Sequence, residues 1–195
     1  MSHGTFSGEP ETRWLTETDE EDRRMKLLAQ FSFTDPDGKK WITPADYSVD
    51  GASIPRAVWT LVGSPYTGDY RRASVVHDKA CDDAVGNPQA RREADRMFYH
   101  ACRAGGCSIK QATLLYIGVR FGAWTPLVAA WRDIETPGLD ESRLTITAVE
   151  QRIQADYRLA AERVLSDGET DDPYEIERRT DAALSAITNI DLRGK

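Results

Sequence analysis

Apolar and polar positions alternate from Met25 to Phe33, with Leu27, Ala29, Phe31 and Phe33 on one face, which predicts a β-strand. Asp35-Pro36-Asp37-Gly38 supplies turn chemistry, and Lys40-Trp41-Ile42-Thr43 returns as a second strand, so a β-hairpin is expected. After Tyr47 the period becomes helical. Asp50-Gly51 marks a turn, and a short helix is expected over Pro55 to Val62, ending at Gly63-Ser64-Pro65. The next helix follows Asp69, which stands where a cap belongs. It places Tyr70, Ala73, Val76 or His77, and Ala80 or Cys81 on one face, and Gly86-Asn87-Pro88 breaks it. Ala90 to Ala104 forms another, with Ala94, Asp95, Phe98 and Cys102 turned inward and Gly105-Gly106 as its stop. Ser108 to about Ile134 is helical and apolar, interrupted by Gly118, Gly122 and Pro126. A membrane span needs about 20 apolar residues. Arg120 in mid-run and the kink at Pro126 favour a buried helix followed by a short one, and membrane contact is not expected.

Composition divides the chain. Residues 1–24 are polar and acidic and read as a flexible arm. The apolar and aromatic residues lie mostly before about residue 135, so 25–136 is the expected core domain. Pro137-Gly138 opens a charged helical extension, 137–195, with helices over Glu141 to Leu165 and Pro173 to Ile190. Their narrow stripes (Val149, Ile153, Tyr157, Ala160 or Ala161, and Val164; Ile176, Ala183, Leu184 and Ile187) suit packing onto a body, a second copy or a particle protein. The fold class is therefore α+β and mostly α: an N-terminal β-hairpin on a helical core, with a helical C-terminal extension.

Net charge is −7, and no cationic stripe is interleaved with aromatics, which argues against nucleic acid. Ser2-His3-Gly4-Thr5 lacks the charged lead and apolar run of a signal peptide. Three cysteines are an odd number and do not suggest a disulfide framework. On an antiparallel helix pair Cys81 and Cys102 would stand roughly 15 Å apart, too far to bridge. A Cys102–Cys107 bridge stays open, and a reducing cytoplasm is the expected compartment.

The candidate chemistry lies in Asp50-Gly51-Ala52-Ser53-Ile54-Pro55, Tyr70-Arg71-Arg72-Ala73, His77-Asp78 and Arg92-Glu93-Ala94-Asp95-Arg96-Met97-Phe98. With the two helices antiparallel across Gly86-Asn87-Pro88, His77 and Asp95 are equally distant from the turn. A carboxylate there fixes the imidazole tautomer and stabilises its charged form. Asp78 points about 100° away around the helix, toward the Asp50 loop. His77 as base, Asp95 as its orienting group, and Asp78 with Asp50 around a calcium-like cation form a hydrolytic constellation.

These motifs, from about Met25 to Gly122, closely resemble an uncharacterised phage and prophage family carrying D-G-A-S-I-P, Y-R-x-A-x-x-x-H-D and A-D-R-x-F. That resemblance implies a phage context, either host cytoplasm or virion, without naming a reaction. His77-Asp78 followed by Asp95-Arg96-Met97-Phe98 is also similar, more remotely, to the secreted calcium-dependent sn-2 phospholipases. The likeness implies His77 as base, Asp78 as calcium ligand and Asp95 as orienting residue. The chain departs from those enzymes in lacking their glycine-rich calcium loop, disulfides and secretion signal.

Each candidate has a structural counterpart. His77 and Asp95 can be a core hydrogen-bonded pair, and Asp50 a turn residue. Ser53 reads first as a helix N-cap, with a nucleophile beside His77 and Asp95 as the alternative, although no Gly-x-Ser-x-Gly elbow supports it. Cys81, one turn beyond His77, suggests a metal or thiol role but reads first as a small buried hydrophobe, and His100 reads as a surface residue. Tyr70 and Arg71 stand beside the site as substrate or structural groups. Arg71, Arg72, Arg91, Arg92 and Arg96 are expected to pair with Asp82, Asp83 and Glu93. Two functions follow: a small ester-directed hydrolase, metal-assisted through calcium, or a phage structural or accessory protein assembled through its C-terminal helices.

Overall fold

The computed structural model describes residues 2–15, 24–49, 54–63, 68–124 and 140–188. Among them are six strands: β1 (Thr5–Phe6), β2 (Thr12–Trp14), β3 (Met25–Leu27), β4 (Phe31–Thr34), β5 (Lys40–Thr43) and β6 (Ser48–Val49). The helices are α1 (Arg56–Val62), α2 (Arg71–Asp83), α3 (Pro88–Gly105), α4 (Ile109–Trp124), α5 (Asp140–Ser166) and α6 (Pro173–Thr188). The fold is α+β and mostly α. The chain divides into two compact units, 1–52 with 65–112 and 53–64 with 113–195. The division falls inside α4. The boundary expected at 136–137 lies outside the described residues.

In the first unit the β4–β5 hairpin forms as its turn chemistry dictates. Asp35 Oδ1 accepts from the backbone N–H of Asp37 and Lys39 at 3.1 and 2.9 Å, and Oδ2 accepts from the Trp41 indole at 2.8 Å. The strand expected over 25–33 is two strands in two antiparallel sheets, β1-β4-β5 and β2-β3-β6. The reason lies in the backbone partners. Leu27 exchanges hydrogen bonds with Tyr47 and Asp46, and the Leu28 N–H goes to Glu11, while β4 pairs with β1 and β5. The chain bends between them, and Ala29 is exposed instead of sharing the buried face of Phe31 and Phe33.

Residues 5–6 and 12–14 are likewise strands, not loose chain. Phe6 anchors β1, its ring centroid 5.7 Å from Phe31 and 4.9 Å from Phe33, with the Arg72 guanidinium 4.6 Å above it. The acidic stretch 16–23 lies outside the described residues. The hairpin packs on α2, where the Thr43 hydroxyl donates to the Val75 carbonyl at 3.3 Å.

Asp69 does not cap α2, whose N-terminal flanking residue is Tyr70 with no side-chain cap bond. Asp69 instead lies against the end of α3: a Cβ on Gly105 would stand 2.2 Å from its carbonyl oxygen. That position accepts only glycine without a backbone shift. Asn87 caps α3 by accepting from the Ala90 N–H at 3.0 Å, and Pro88 occupies the first turn, where its missing N–H is harmless.

In the second unit α4 runs unbroken through Gly118 and Gly122. Gly118 serves packing here, since Ile54 fills the space a side chain would take, 3.3 Å from an ideal Cβ. Most of the stripes of α5 and α6 is buried, with Val149 and Ile187 half-buried. Ile153, Tyr157, Ala160 and Val164 are buried, as are Ile176, Ala183 and Leu184. The Tyr157 hydroxyl donates to the Leu114 carbonyl at 2.9 Å. Arg120 of α4 is fully buried and pairs with Asp181 of α6. No helix among the described residues is long and apolar enough to cross a membrane.

Candidate functional site

Four residues, Ala84 to Asn87, join α2 to α3, and a connection that short makes the helices antiparallel neighbours. His77 and Asp95 each stand nine residues from Gly86 and therefore meet in register. Nε2 of His77 is 2.9 Å from Oδ1 of Asp95, and both side chains are 0 % exposed. Phe98, one turn after Asp95, lays its ring 4.6 Å from the imidazole, centroid to centroid.

Two further groups complete the cluster, each four residues from its partner on the same helix. The Arg91 Nε–H donates to Asp95 Oδ1 at 3.1 Å. Cys81 Sγ lies 3.4 Å from His77 Nε2 and 3.7 Å from Nδ1, and the cysteine is partly exposed rather than buried. The signal for both was present in the i, i+4 spacing of His77-Asp78-Lys79-Ala80-Cys81 and of Arg91 to Asp95.

The proton positions follow from chemistry. Asp95 Oδ1 accepts from Arg91, and with that carboxylate as acceptor the imidazole atom facing it carries hydrogen. Burial holds the His77 pKa below its ordinary 6.5; the Asp95 bond and charge oppose this, and Arg91 assists it. A neutral ring has a single N–H, which is Nε2–H pointing at Asp95, and Nδ1 carries the lone pair.

This depressed pKa links stability to pH. The unfolded chain takes up the His77 proton below about 6.5, while the folded chain resists it. The His77 contribution is therefore fully present above 6.5 and is lost as pH falls toward the lower folded value. Urea midpoints should fall between pH 7.5 and 5.5, and a His77→Gln protein should show a smaller fall. Equal slopes in the two proteins would contradict the neutral buried imidazole.

Asp78 is 5 % exposed on α2. Asp50 and Ser53, its expected neighbour and the expected cap, lie outside the described residues. Pro55 flanks α1 and supplies no side-chain cap bond. Tyr70 is 2 % exposed, and burial, with the nearby Cys102 and Cys107 thiols, pushes its hydroxyl up to about 12. Arg71 and Arg72 both approach Glu9, at 3.6 and 3.1 Å. Of the expected arginine partners, Asp82 accepts from the Tyr47 hydroxyl and Asp83 from Lys79, while Glu93 accepts from Lys39 and also feels the charge of Arg96. His100 is half-buried, its Nδ1 3.2 Å from Nδ1 of His3. None of the three cysteines is in a disulfide.

Two bacterial relatives are similar to this chain. It is 38% identical over 117 residues to the uncharacterized protein y4jT of Sinorhizobium fredii (strain NBRC 101917 / NGR234), covering 60% of this chain and 33% of that one. It is 39% identical over 99 residues to the uncharacterized protein y4iH of the same strain, covering 50% of this chain and 40% of that one. The chain thus spans well under half the length of either relative. No solved structure matches. Residues 25–119, which hold the hairpin, α2 and α3 and hence His77, Cys81, Arg91 and Asp95, match the family model described as "Protein of unknown function (DUF1353)".

Proposed function

We propose that this chain is a small ester hydrolase in which His77 is the general base and Asp95 fixes it. The observation that carries this reading is the 2.9 Å contact from Nε2 to Oδ1 between two fully buried side chains. It leaves the Nδ1 lone pair on a neutral imidazole, the form that can take a proton from water. Water would approach past Cys81, the partly exposed member of the cluster. Nδ1 removes its proton as the oxygen attacks the ester carbonyl, and the carboxylate stabilises the imidazolium that forms. The same proton then passes to the leaving alkoxide. A calcium ion held by Asp78, with Asp50, would polarise the carbonyl, as in the phospholipases these motifs resemble.

The test is hydrolysis of short-chain nitrophenyl esters and of phospholipid vesicles, with and without calcium. Wild type should turn over at least one class. His77→Gln and Asp95→Asn should not, while Asp78→Asn should lose only the calcium-dependent part. Wild type inert on every ester would sink the reading.

Full burial of both His77 and Asp95 favours a second reading, in which the pair organises the core of a phage structural or accessory protein. Its partner surface would then be on the C-terminal helices. In that case the same variants lose stability and there is no turnover to lose.

A further inference from the structure

We propose that His77, Cys81 and Asp95 form a binding site for a thiophilic divalent metal ion of the zinc type. This goes beyond the hydrolase reading and does not rest on it. The three side chains offer one nitrogen, one sulfur and one oxygen, all within 4.8 Å of one another. Bonds of roughly 2.0–2.3 Å in a tetrahedron put ligand atoms about 3.3–3.8 Å apart. Sγ and Nε2 already stand at 3.4 Å, while Oδ1 and Nε2, at 2.9 Å, need to separate by only a few tenths of an ångström.

The backbone explains why the spacing is right. His77 and Cys81 share one face of α2 a turn apart, and α3 brings Asp95 up to that face. A helix His-x-x-x-Cys pair with a carboxylate from its neighbour supplies three protein ligands. The partly exposed side of Cys81 leaves a fourth position for water.

The donor set selects the metal class. A thiolate with an imidazole favours zinc or cobalt over calcium, which requires oxygen ligands. Thiolate and carboxylate together carry two negative charges against the ion's two positive ones. Arg91 is on the same carboxylate, at 3.1 Å. The ion therefore competes with a guanidinium for Oδ1 or takes the second carboxylate oxygen. Ligation at Nε2 moves the imidazole proton to Nδ1, and the thiol proton leaves to solvent, so one proton is released per ion bound. Binding accordingly tightens as pH rises. Metal and base use the same imidazole, so zinc should inhibit any hydrolysis that depends on His77.

Cobalt titration of the reduced full-length chain tests the site without reference to activity. The expected result is one equivalent bound with a near-ultraviolet thiolate-to-cobalt charge-transfer band, bleached when zinc displaces cobalt. Cys81→Ser, a small change at a partly exposed position, should remove the band while circular dichroism stays unchanged. Asp95→Asn should weaken binding at least about tenfold. A folded wild type with no thiolate band would overturn the proposal. So would a band that persists at the same affinity in Cys81→Ser, since Cys102 and Cys107 would then be its source.

Discussion

Replacing His77 by Gln should reduce ester hydrolysis by about 10²–10⁴-fold, the span general-base catalysis commonly supplies. The same change should cost about 1–3 kcal/mol of stability, because it disturbs a buried carboxylate that accepts from the imidazole. Asp95→Asn is the more telling companion. An amide can present N–H to Nε2 and so favour the opposite tautomer, with the Nε2 lone pair taken up by the amide and the proton on Nδ1. Activity should then fall about as far as in His77→Gln, although the side-chain volume is kept. If the cluster is purely structural, both variants lower urea midpoints alike, and neither has an activity to change. Steady-state rates and chemical denaturation on the same preparations separate these cases.

The largest stability effect is expected in the second unit. Arg120 is 0 % exposed and Asp181 5 % exposed, and the two are paired. Truncating Arg120 to Ala takes the guanidinium away from a nearly buried carboxylate, and such losses run to about 3–5 kcal/mol. Asp181→Asn should cost less, since an amide still accepts from the guanidinium. Replacing both partners with apolar residues, Arg120→Met with Asp181→Leu, should recover most of the loss, because the cost arises from an unpaired charge and not from a missing attraction. Urea unfolding of the three proteins checks this. An Arg120→Ala protein as stable as wild type would show that the pair is not desolvated in solution.

The helices were readable because each is written locally. Apolar period, the Gly86-Asn87-Pro88 break and the Gly63 and Gly105-Gly106 stops fix α1 to α3 to within a few residues, and the short α2–α3 connection fixes the register of His77 and Asp95. The sheets were not readable to the same degree. Whether Met25 to Phe33 is one strand or two depends on Glu11, Asp46 and Tyr47, which lie outside that stretch and supply partners on different sides. The strands of residues 2–15 were hidden by their polar composition, although Phe6 was the clue. An aromatic residue in an acidic segment gains more from a stack on Phe31 and Phe33 than from water.

The site was legible where two residues face each other across a turn of known length. It was less legible where a residue had a ready structural explanation. Cys81 fits a small hydrophobe in any helix, and only the ring beneath it, at 3.4–3.7 Å, makes it a neighbour of the chemistry. Arg91 was assigned to surface pairs because arginine clusters usually end there; its i, i+4 relation to Asp95 takes it inward instead. The His3–His100 contact joins residues 97 positions apart, and no local pattern encodes it.

The central claim is that His77 is a neutral imidazole with its proton on Nε2, held by Asp95, and its lone pair on Nδ1. Nitrogen-15 NMR of the histidine side chains at neutral pH measures this directly, with His77→Gln identifying the signals. The account predicts one ring with a protonated Nε2 and a pyridine-like Nδ1, still mostly neutral at pH 6.5. A His77 ring protonated on both nitrogens at neutral pH, or carrying its proton on Nδ1, would contradict it.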